Sequence, residues 1–327
     1  MPANLPPQYF AAQKRFQMAK TCWDKIEALE GMLAIMPHHK GTERLRADLT
    51  GRIAKLSEEA EKRSATGRKG HGYYVRKEGA GQVAVVGLPN AGKSQLVAAL
   101  TGVPVEVADY PFTTKTVTPA MMKFENIQMQ LLDTPPLTER SAQEWLSTVV
   151  RNADLLLILA DLSADPVHQL AMTAQELEML RIGVVGWETE AESTIMYVKK
   201  ALVVGSKSDL DPSGQGFEAL RRRCGDRFPI IAVSAARGDS LAELQKAVFG
   251  ALEIIRVYTK APGQKADLAK PFILKMGNTV DDLAAMVHKE LLVKLKYAQV
   301  WGSGKFDAQR VGRDHVLLDG DVVELHS

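Results

Sequence analysis

Only two cysteines occur in the 327 residues, Cys22 and Cys224, far apart and without metal-ligand spacing. This excludes a disulfide-stapled scaffold and fits two free thiols in a reducing cytoplasm. Long apolar runs are missing too. The longest, Leu155 to Ala160, is far short of a membrane span. The start, Met1-Pro2-Ala3-Asn4, lacks the apolar core of a secretory signal. The expectation is a cytoplasmic protein with no membrane contact. An excess of one charge sign is also lacking. The net charge is +2, so any basic surface for nucleic acid must be local. Internal repeats and low-complexity tracts do not occur. The remainder is ordinary globular composition, 46% apolar and 24% charged, at a length suited to two or three domains.

Three regions follow one another. In residues 1–80, Tyr9, Phe16 and Trp23 fall seven apart, and Ala12, Ala19, Ile26 and Leu33 form a second row. That is the seam of an amphipathic helix. Pro37 to Gly41 breaks it, and Thr42 can cap a second helix carrying Leu45, Leu49, Ile53, Leu56 and Ala60. The expectation is an antiparallel helical hairpin, followed by a basic linker from Lys62 through Gly72. Residues 81–255 alternate strand and helix patterns. Strands are expected at Gln82–Gly87, Ile127–Leu132, Leu155–Ala160, Ala201–Val204 and Ile230–Val233, and helices at Leu170–Leu180 and Leu241–Ile255. Such alternation implies an α/β fold with a parallel sheet covered on both faces. Residues 256–327 read as a small α+β domain. It has a strand at Phe272–Met276, a helix capped by Thr279 and running to His288, and strands near Lys296–Trp301 and Asp321–Leu325.

Gly87, Gly92, Lys93 and Ser94 match the pattern G-x-x-x-x-G-K-[ST], with an apolar strand before and a helix from Gln95 after. The chemistry needs that order. Backbone N–H groups of the loop wrap phosphates, the helix N-terminus adds positive potential, the lysine reaches the β- and γ-phosphates and the hydroxyl ligates Mg²⁺. Gly87 and Pro89, Asn90, Ala91, Gly92, Lys93, Ser94 and Gln95 are therefore the expected phosphate site.

Ser206-Lys207-Ser208-Asp209 follows a predicted strand and resembles the base-reading N-K-x-D element of the Ras-like GTPases. By that resemblance Asp209 accepts from guanine N1–H and the exocyclic amine, which adenine cannot offer, and Lys207 lies along the base. Ser206 stands where Asn is usual, which implies a weaker tether. Ser234-Ala235-Ala236 matches the element that contacts the guanine carbonyl. Ala108 to Thr114 resembles switch I of the Obg family, in which Thr113 or Thr114 would close over Mg²⁺. Val300-Trp301-Gly302, Gln309 to Gly312 and His315 to Val323 resemble the TGS domain of the developmentally regulated GTP-binding proteins, a ubiquitin-like β-grasp. The resemblance implies GTP and GDP as ligands, Mg²⁺ as cofactor and association with ribosomes or RNA. Lys69, Arg76, Lys77, Lys294, Lys296, Lys305, Arg310 and Arg313 are the flanking charges that would meet RNA, or else ordinary solvated charges.

Switch II normally reads D-x-x-G, and here it is Asp133-Thr134-Pro135-Pro136. Asp133 can still hold Mg²⁺ through a water. Pro136 has no N–H to give the γ-phosphate. Leu137 occupies the place of the water-orienting Gln of Ras-like enzymes, where the Obg resemblance implies a hydrophobic residue, so Leu137 alone is no loss. The inserted domain typical of the developmentally regulated proteins is absent from Ala142 to Leu180. Asn90 stands where some relatives bind K⁺, or it satisfies loop backbone. Arg221 to Arg223 read as a solvated helix face, and Asp281-Asp282 as charge suited to a helix dipole. Two functions stand. One is a slow GTPase switch with Lys93, Thr114 and Asp133 as its catalytic residues. The other is a non-enzymatic guanine-nucleotide scaffold silenced by Pro136.

Overall fold

The computed structural model describes residues 7–19, 22–36, 42–65, 75–102, 117–138, 143–187, 195–288, 295–303 and 306–326. It divides into two units, Met1–Tyr74 and Val75–Ser327.

The first unit holds three helices, α1 (Pro7–Met18), α2 (Cys22–Ile35) and α3 (Glu43–Ala65), instead of the expected two. The single seam from Tyr9 to Leu33 is split. Tyr9, Ala12, Leu29, Met32 and Leu49 share one core. In one continuous helix Tyr9 and Met32 would lie roughly 34 Å apart, so they share a core only because α1 ends at Met18 and α2 is a separate helix. Arg46 of α3 caps α2, donating to Leu33 O at 3.2 Å and Met36 O at 2.9 Å. α3 runs through Ala65, so the first part of the expected basic linker is helical.

The second unit opens with a segment, 75–78, pinned by two buried glutamines. Gln82 Nε2 donates to Val75 O and to Gln130 Oε1, and Gln130 Nε2 donates to Arg76 O. A six-stranded sheet follows, in the order β2 (Thr118–Phe124), β3 (Ile127–Asp133), β1 (Gln82–Gly87), β4 (Leu155–Asp161), β7 (Ala201–Ser206), β8 (Ile230–Ala232). All neighbours are parallel except β2, which forms an antiparallel hairpin with β3. β2 carries no alternating pattern, and Pro119 is tolerated because the strand lies at the sheet edge. Side chains alternate between two cores. Val83, Val85, Leu155 and Leu157 pack with Leu96 and Val97 of α4 (Lys93–Thr101) and Leu244 and Val248 of α8 (Leu241–Ala251). Ala84, Val86, Leu156 and Ile158 pack with residues of α5 (Gln143–Asn152), α6 (Pro166–Met179) and α7 (Gln215–Cys224). Burial on both faces explains why these strands read as continuous apolar runs. A short parallel pair, β5 (Ile182–Val184) and β6 (Tyr197–Lys199), fills the interval between α6 and β7.

The expected helix Leu241–Ile255 ends at Ala251. Ile254–Thr259 is a strand, β9. Its Ile, Val, Tyr and Thr side chains suit a pleated surface. β9 belongs to a second sheet, ordered β10 (Phe272–Lys275), β9, β13 (Val322–His326), β11 (Tyr297–Trp301), β12 (Gln309–Val311). α9 (Val280–Val287) supplies Val280, Leu283 and Ala284 to its core. Thr279 caps α9 as expected. Asp282 does more than suit a dipole: it closes a capping box by accepting from Thr279 N at 2.8 Å, while Asp281 pairs with Arg313 at 2.7 Å.

Arg256 of β9 ties the two sheets together. Its guanidinium meets Asp319 at 2.7 Å, contacts Glu125 in the β2–β3 turn, and lies 5.0 Å from the ring centroid of Phe249. Beside it Asn126 donates to the Tyr258 hydroxyl at 2.7 Å and to Leu268 O at 2.8 Å. Burial raises the Asp319 carboxyl pKa, but the Arg256 side chain and backbone N–H outweigh it and hold it below the usual range. This stabilisation is present at neutral pH and is lost as pH falls through the carboxyl's depressed value. Arg256→Ala leaves Asp319 unpaired and should cost on the order of 2–4 kcal/mol at pH ~7, read as a lowered melting temperature. The gap between variant and wild type should narrow below pH ~4.

Candidate guanine-nucleotide site

Five parallel strands, β3, β1, β4, β7 and β8, end along one edge of the first sheet. Their ends deliver Asp133, Gly87, Asp161, Ser206 and, just past β8, Ser234. In open α/β sheets ligands bind at this edge, where the chain moves from one side of the first strand to the other. Here it does so between β3 and β4, which flank β1.

The Gly87–Ser94 loop has this backbone because of its glycines. Gly87 has φ +157° and Gly92 has φ +85°. A Cβ on Gly87 would stand 2.9 Å from Leu159 O. Asn90 also has positive φ, +61°, a conformation Asn tolerates better than most residues, and its side chain is exposed. Ala91 is fully buried beneath the loop.

Lys93 is 7% exposed and donates to Leu88 O at 2.8 Å and Gly87 O at 3.2 Å. Carbonyls solvate an ammonium only in part. Burial pulls its pKa down to about 8, against an opposing pull from Asp133. Asp133 is 8% exposed. Burial raises its carboxyl pKa, against a hydrogen bond from the Ser94 hydroxyl and the charge of Lys93. Its Oδ1 is buried without a hydrogen-bond partner among the described residues. A hard carboxylate oxygen left open beside a serine hydroxyl suits a Mg²⁺ ion. Thr113 and Thr114, the other expected metal ligands, lie outside the described residues.

After Asp133 the chain is pinned twice. The Thr134 hydroxyl donates to Val85 O at 2.7 Å, and Leu137 is fully buried in the core cluster of Leu146 and Val150. Leu137 therefore does not face the phosphate site. Pro135 and Pro136 are half-exposed between these anchors.

On the base side, the Ser206 hydroxyl donates to Ala91 O at 2.7 Å, so serine makes the tether to the phosphate loop itself. Ser234 is fully buried, and its hydroxyl donates to Asp209 Oδ1 at 2.6 Å, fixing the carboxylate. Ala235 is half-buried and Ala236 exposed. Lys207 adopts φ +57° and its ammonium meets Asp161 at 2.6 Å. Nothing in the sequence pattern singled out Asp161. Its only signal is a lone acid closing a buried apolar strand.

Among the flanking basic residues, Lys77 pairs with Asp154 at 2.6 Å, and the Arg310 guanidinium stacks 3.8 Å from the Tyr297 ring centroid. Lys69, Lys294 and Lys305 lie outside the described residues.

A phosphate brought to Lys93 restores its charged form, so nucleotide binding takes up a proton wherever the free protein has lost it. Affinity for GDP is expected to fall about tenfold between pH ~7 and pH ~9. Lys93→Met is the control, since it retains only the titration of the guanine ring. Calorimetry across this range decides: parallel profiles would remove the lysine proton from the equilibrium.

Comparison with known proteins follows the two sheets. The family described as 50S ribosome-binding GTPase matches residues 82–200, and the TGS domain matches 255–327. An uncharacterized GTP-binding protein of Halobacterium salinarum is 30% identical, over 92% of this chain and 98% of its own. That alignment runs over 364 positions, more than the 327 residues here, so the relative carries segments this chain lacks. The developmentally-regulated GTP-binding protein 2 homolog of Dictyostelium discoideum is 28% identical, over 92% of this chain and 98% of its own. The YchF GTPase of Schizosaccharomyces pombe shares the fold, with a TM-score of 0.54 at 12% identity, covering 78% of this chain and all of that one. No described helix is long and apolar enough to cross a membrane. With a GTPase-family match over residues 82–200, a TGS domain over 255–327 and relatives aligned along nearly their whole length, this chain belongs to the family of GTP-binding proteins that join a GTPase domain to a TGS domain, alongside the developmentally regulated GTP-binding proteins.

Proposed function

We propose that this protein is a Mg²⁺-dependent GTPase of slow turnover, akin to the Obg branch, that acts on the ribosome or its RNA in the cytoplasm. One observation carries the metal-dependent reading: Asp133 Oδ1 is buried and unpartnered beside Ser94 and Lys93. Gly87 and Pro89 through Gln95 would wrap the phosphates. Lys93 would hold β- and γ-oxygens, and Ser94, Asp133 and Thr113 or Thr114 would hold Mg²⁺. When bound, the ion supplies positive charge against the phosphate oxygens as negative charge builds on them. Asp209, held by Ser234, would accept from the guanine edge while the Ala235 backbone meets its carbonyl. Asn90 is the candidate for a K⁺ ligand. The matched family's description as ribosome-binding supports the 50S subunit as partner, and we assign residues 1–80 and 256–327 as the regions that meet it.

Slow turnover follows from switch II. A ligand shifts an equilibrium only by its differential affinity for the two states. Pro136 offers no N–H that GTP could engage and GDP could not, and Leu137 is occupied in the core. Pro136 also favours the second reading, a guanine-nucleotide scaffold without hydrolysis. Single-turnover hydrolysis of GTP separates them, since a scaffold releases no phosphate above the uncatalysed rate.

Pro136→Gly is expected to restore the donor and raise the preference for a GTP analogue over GDP, by an amount set by one charge-assisted hydrogen bond, ~1.5–3 kcal/mol. If wild type already prefers the analogue strongly and the variant changes nothing, the γ-phosphate is sensed elsewhere. Asp209→Asn should weaken GDP binding by on the order of 2–3 kcal/mol and favour xanthine nucleotides; unchanged GDP affinity would remove Asp209 from the site. Co-sedimentation with 50S subunits, in GDP and in a non-hydrolysable GTP analogue, tests the partner, and absence of co-sedimentation with both would count against the ribosome.

A further inference from the structure

We infer that Asp161 is a positioning residue for the guanine base: it anchors Lys207 so that the lysine stem is fixed as a platform before nucleotide arrives. The inference rests on the guanine reading of Ser206 to Asp209. Asp161 closes β4 and stands in register with Ser206 on β7. Its Oδ2 accepts from the Lys207 ammonium at 2.6 Å, and its Oδ1 accepts from Ser163 N at 2.9 Å and Ser163 Oγ at 2.6 Å. The Asp161 backbone is clasped by Gln169, whose Oε1 accepts from Asp161 N at 3.0 Å and whose Nε2 donates to Asp161 O at 3.3 Å. Each carboxylate oxygen thus has a partner, and the Asp161 side chain is 12% exposed.

Lys207 pays for its place with a left-handed backbone, φ +57°, which a non-glycine residue holds only when its surroundings demand it. Its Cε lies 3.9 Å from where a Cβ on Gly92 would stand, so the stem crosses the phosphate loop on its way to Asp161. A free lysine chain has many rotamers to lose when a base settles on it. Here they are lost during folding, and the ammonium already has its counter-charge. Burial raises the Asp161 carboxyl pKa, but Lys207 and Ser163 outweigh it, and the group stays ionised at neutral pH. The methylenes are left to cover the flat face of the base. A face contact does not distinguish one purine from another, while Asp209 reads the edge. Platform and reader are therefore separable.

The test measures dissociation constants of GDP, inosine diphosphate and xanthosine diphosphate for wild type, Asp161→Asn, Lys207→Ala and the double variant. Asp161→Asn is expected to weaken all three roughly tenfold, with their ratios preserved and the melting temperature of the nucleotide-free protein kept within a few degrees. In the Lys207→Ala background Asp161→Asn should add nothing. Unchanged affinity in Asp161→Asn overturns the proposal, as does a loss that persists in that background or one that alters the ratios between bases. If Asp161→Asn fails to fold, Ser163→Ala takes its place, with a smaller loss expected in the same pattern and no loss overturning the idea. Wild type that binds ADP as well as GDP sinks the guanine reading itself, whereas guanine-selective wild type with an indifferent Asp161→Asn sinks only this one.

Discussion

An ammonium buried with too few partners is the constraint around which the first sheet is organised. Lys93 has two carbonyls and one carboxylate near it, and burial makes its charge costly. Asp133, the nearby carboxylate, is itself buried and left with an open oxygen. Neither group is placed for stability. A fold that puts both on one sheet edge accepts a local cost there, the pattern expected of a functional site. The glycines of the loop, the Ser206 tether and the Thr134 pin hold that costly arrangement in place.

The departures from the Ras-like pattern have different physical meanings. Ser206 in place of Asn reads as a loss from sequence, yet the shorter hydroxyl reaches Ala91 O at 2.7 Å and keeps the loop joined to β7. Leu137 in place of Gln is a relocation, because the side chain has moved into the core under α5. Pro136 differs from both, since its nitrogen carries no hydrogen to donate.

Legibility of the fold followed how local the cause was. The phosphate loop and its flanking strand and helix were readable because the glycine spacing and the apolar run are contiguous. β1 and β4 were plain because both faces are buried. β9 was missed because Gly250 lies inside α8 rather than after it, and the chain turns at Glu253, which takes a left-handed φ of +50° that its residue type does not announce. The break between α1 and α2 was hidden because both halves keep one seam, and the fold-back that needs a break is a tertiary demand. Asp161 was invisible for the same reason. Ser163 is its one local partner, while Lys207 lies 46 residues away and Gln169 eight residues on, and no short motif contains them all. Switch I was read only by resemblance and lies outside the described residues.

The second sheet is put together out of sequence. β13, the latest of its strands in the chain, is the central one, parallel to β9 on one side and antiparallel to β11 on the other. Until β13 is available, the β9–β10 pair and the β11–β12 pair have no shared partner, and the edge each would present to the same five residues stays open. Those edges are templates for wrong partners. Closure of this sheet therefore waits until residues 322–326 have left the synthesis machinery. The Arg256 contact to Asp319, which lies just before β13, waits with it. The nucleotide-binding sheet has no such delay, since all six of its strands precede residue 233. The two halves of this unit are born at different times, and the arginine that joins them is completed last.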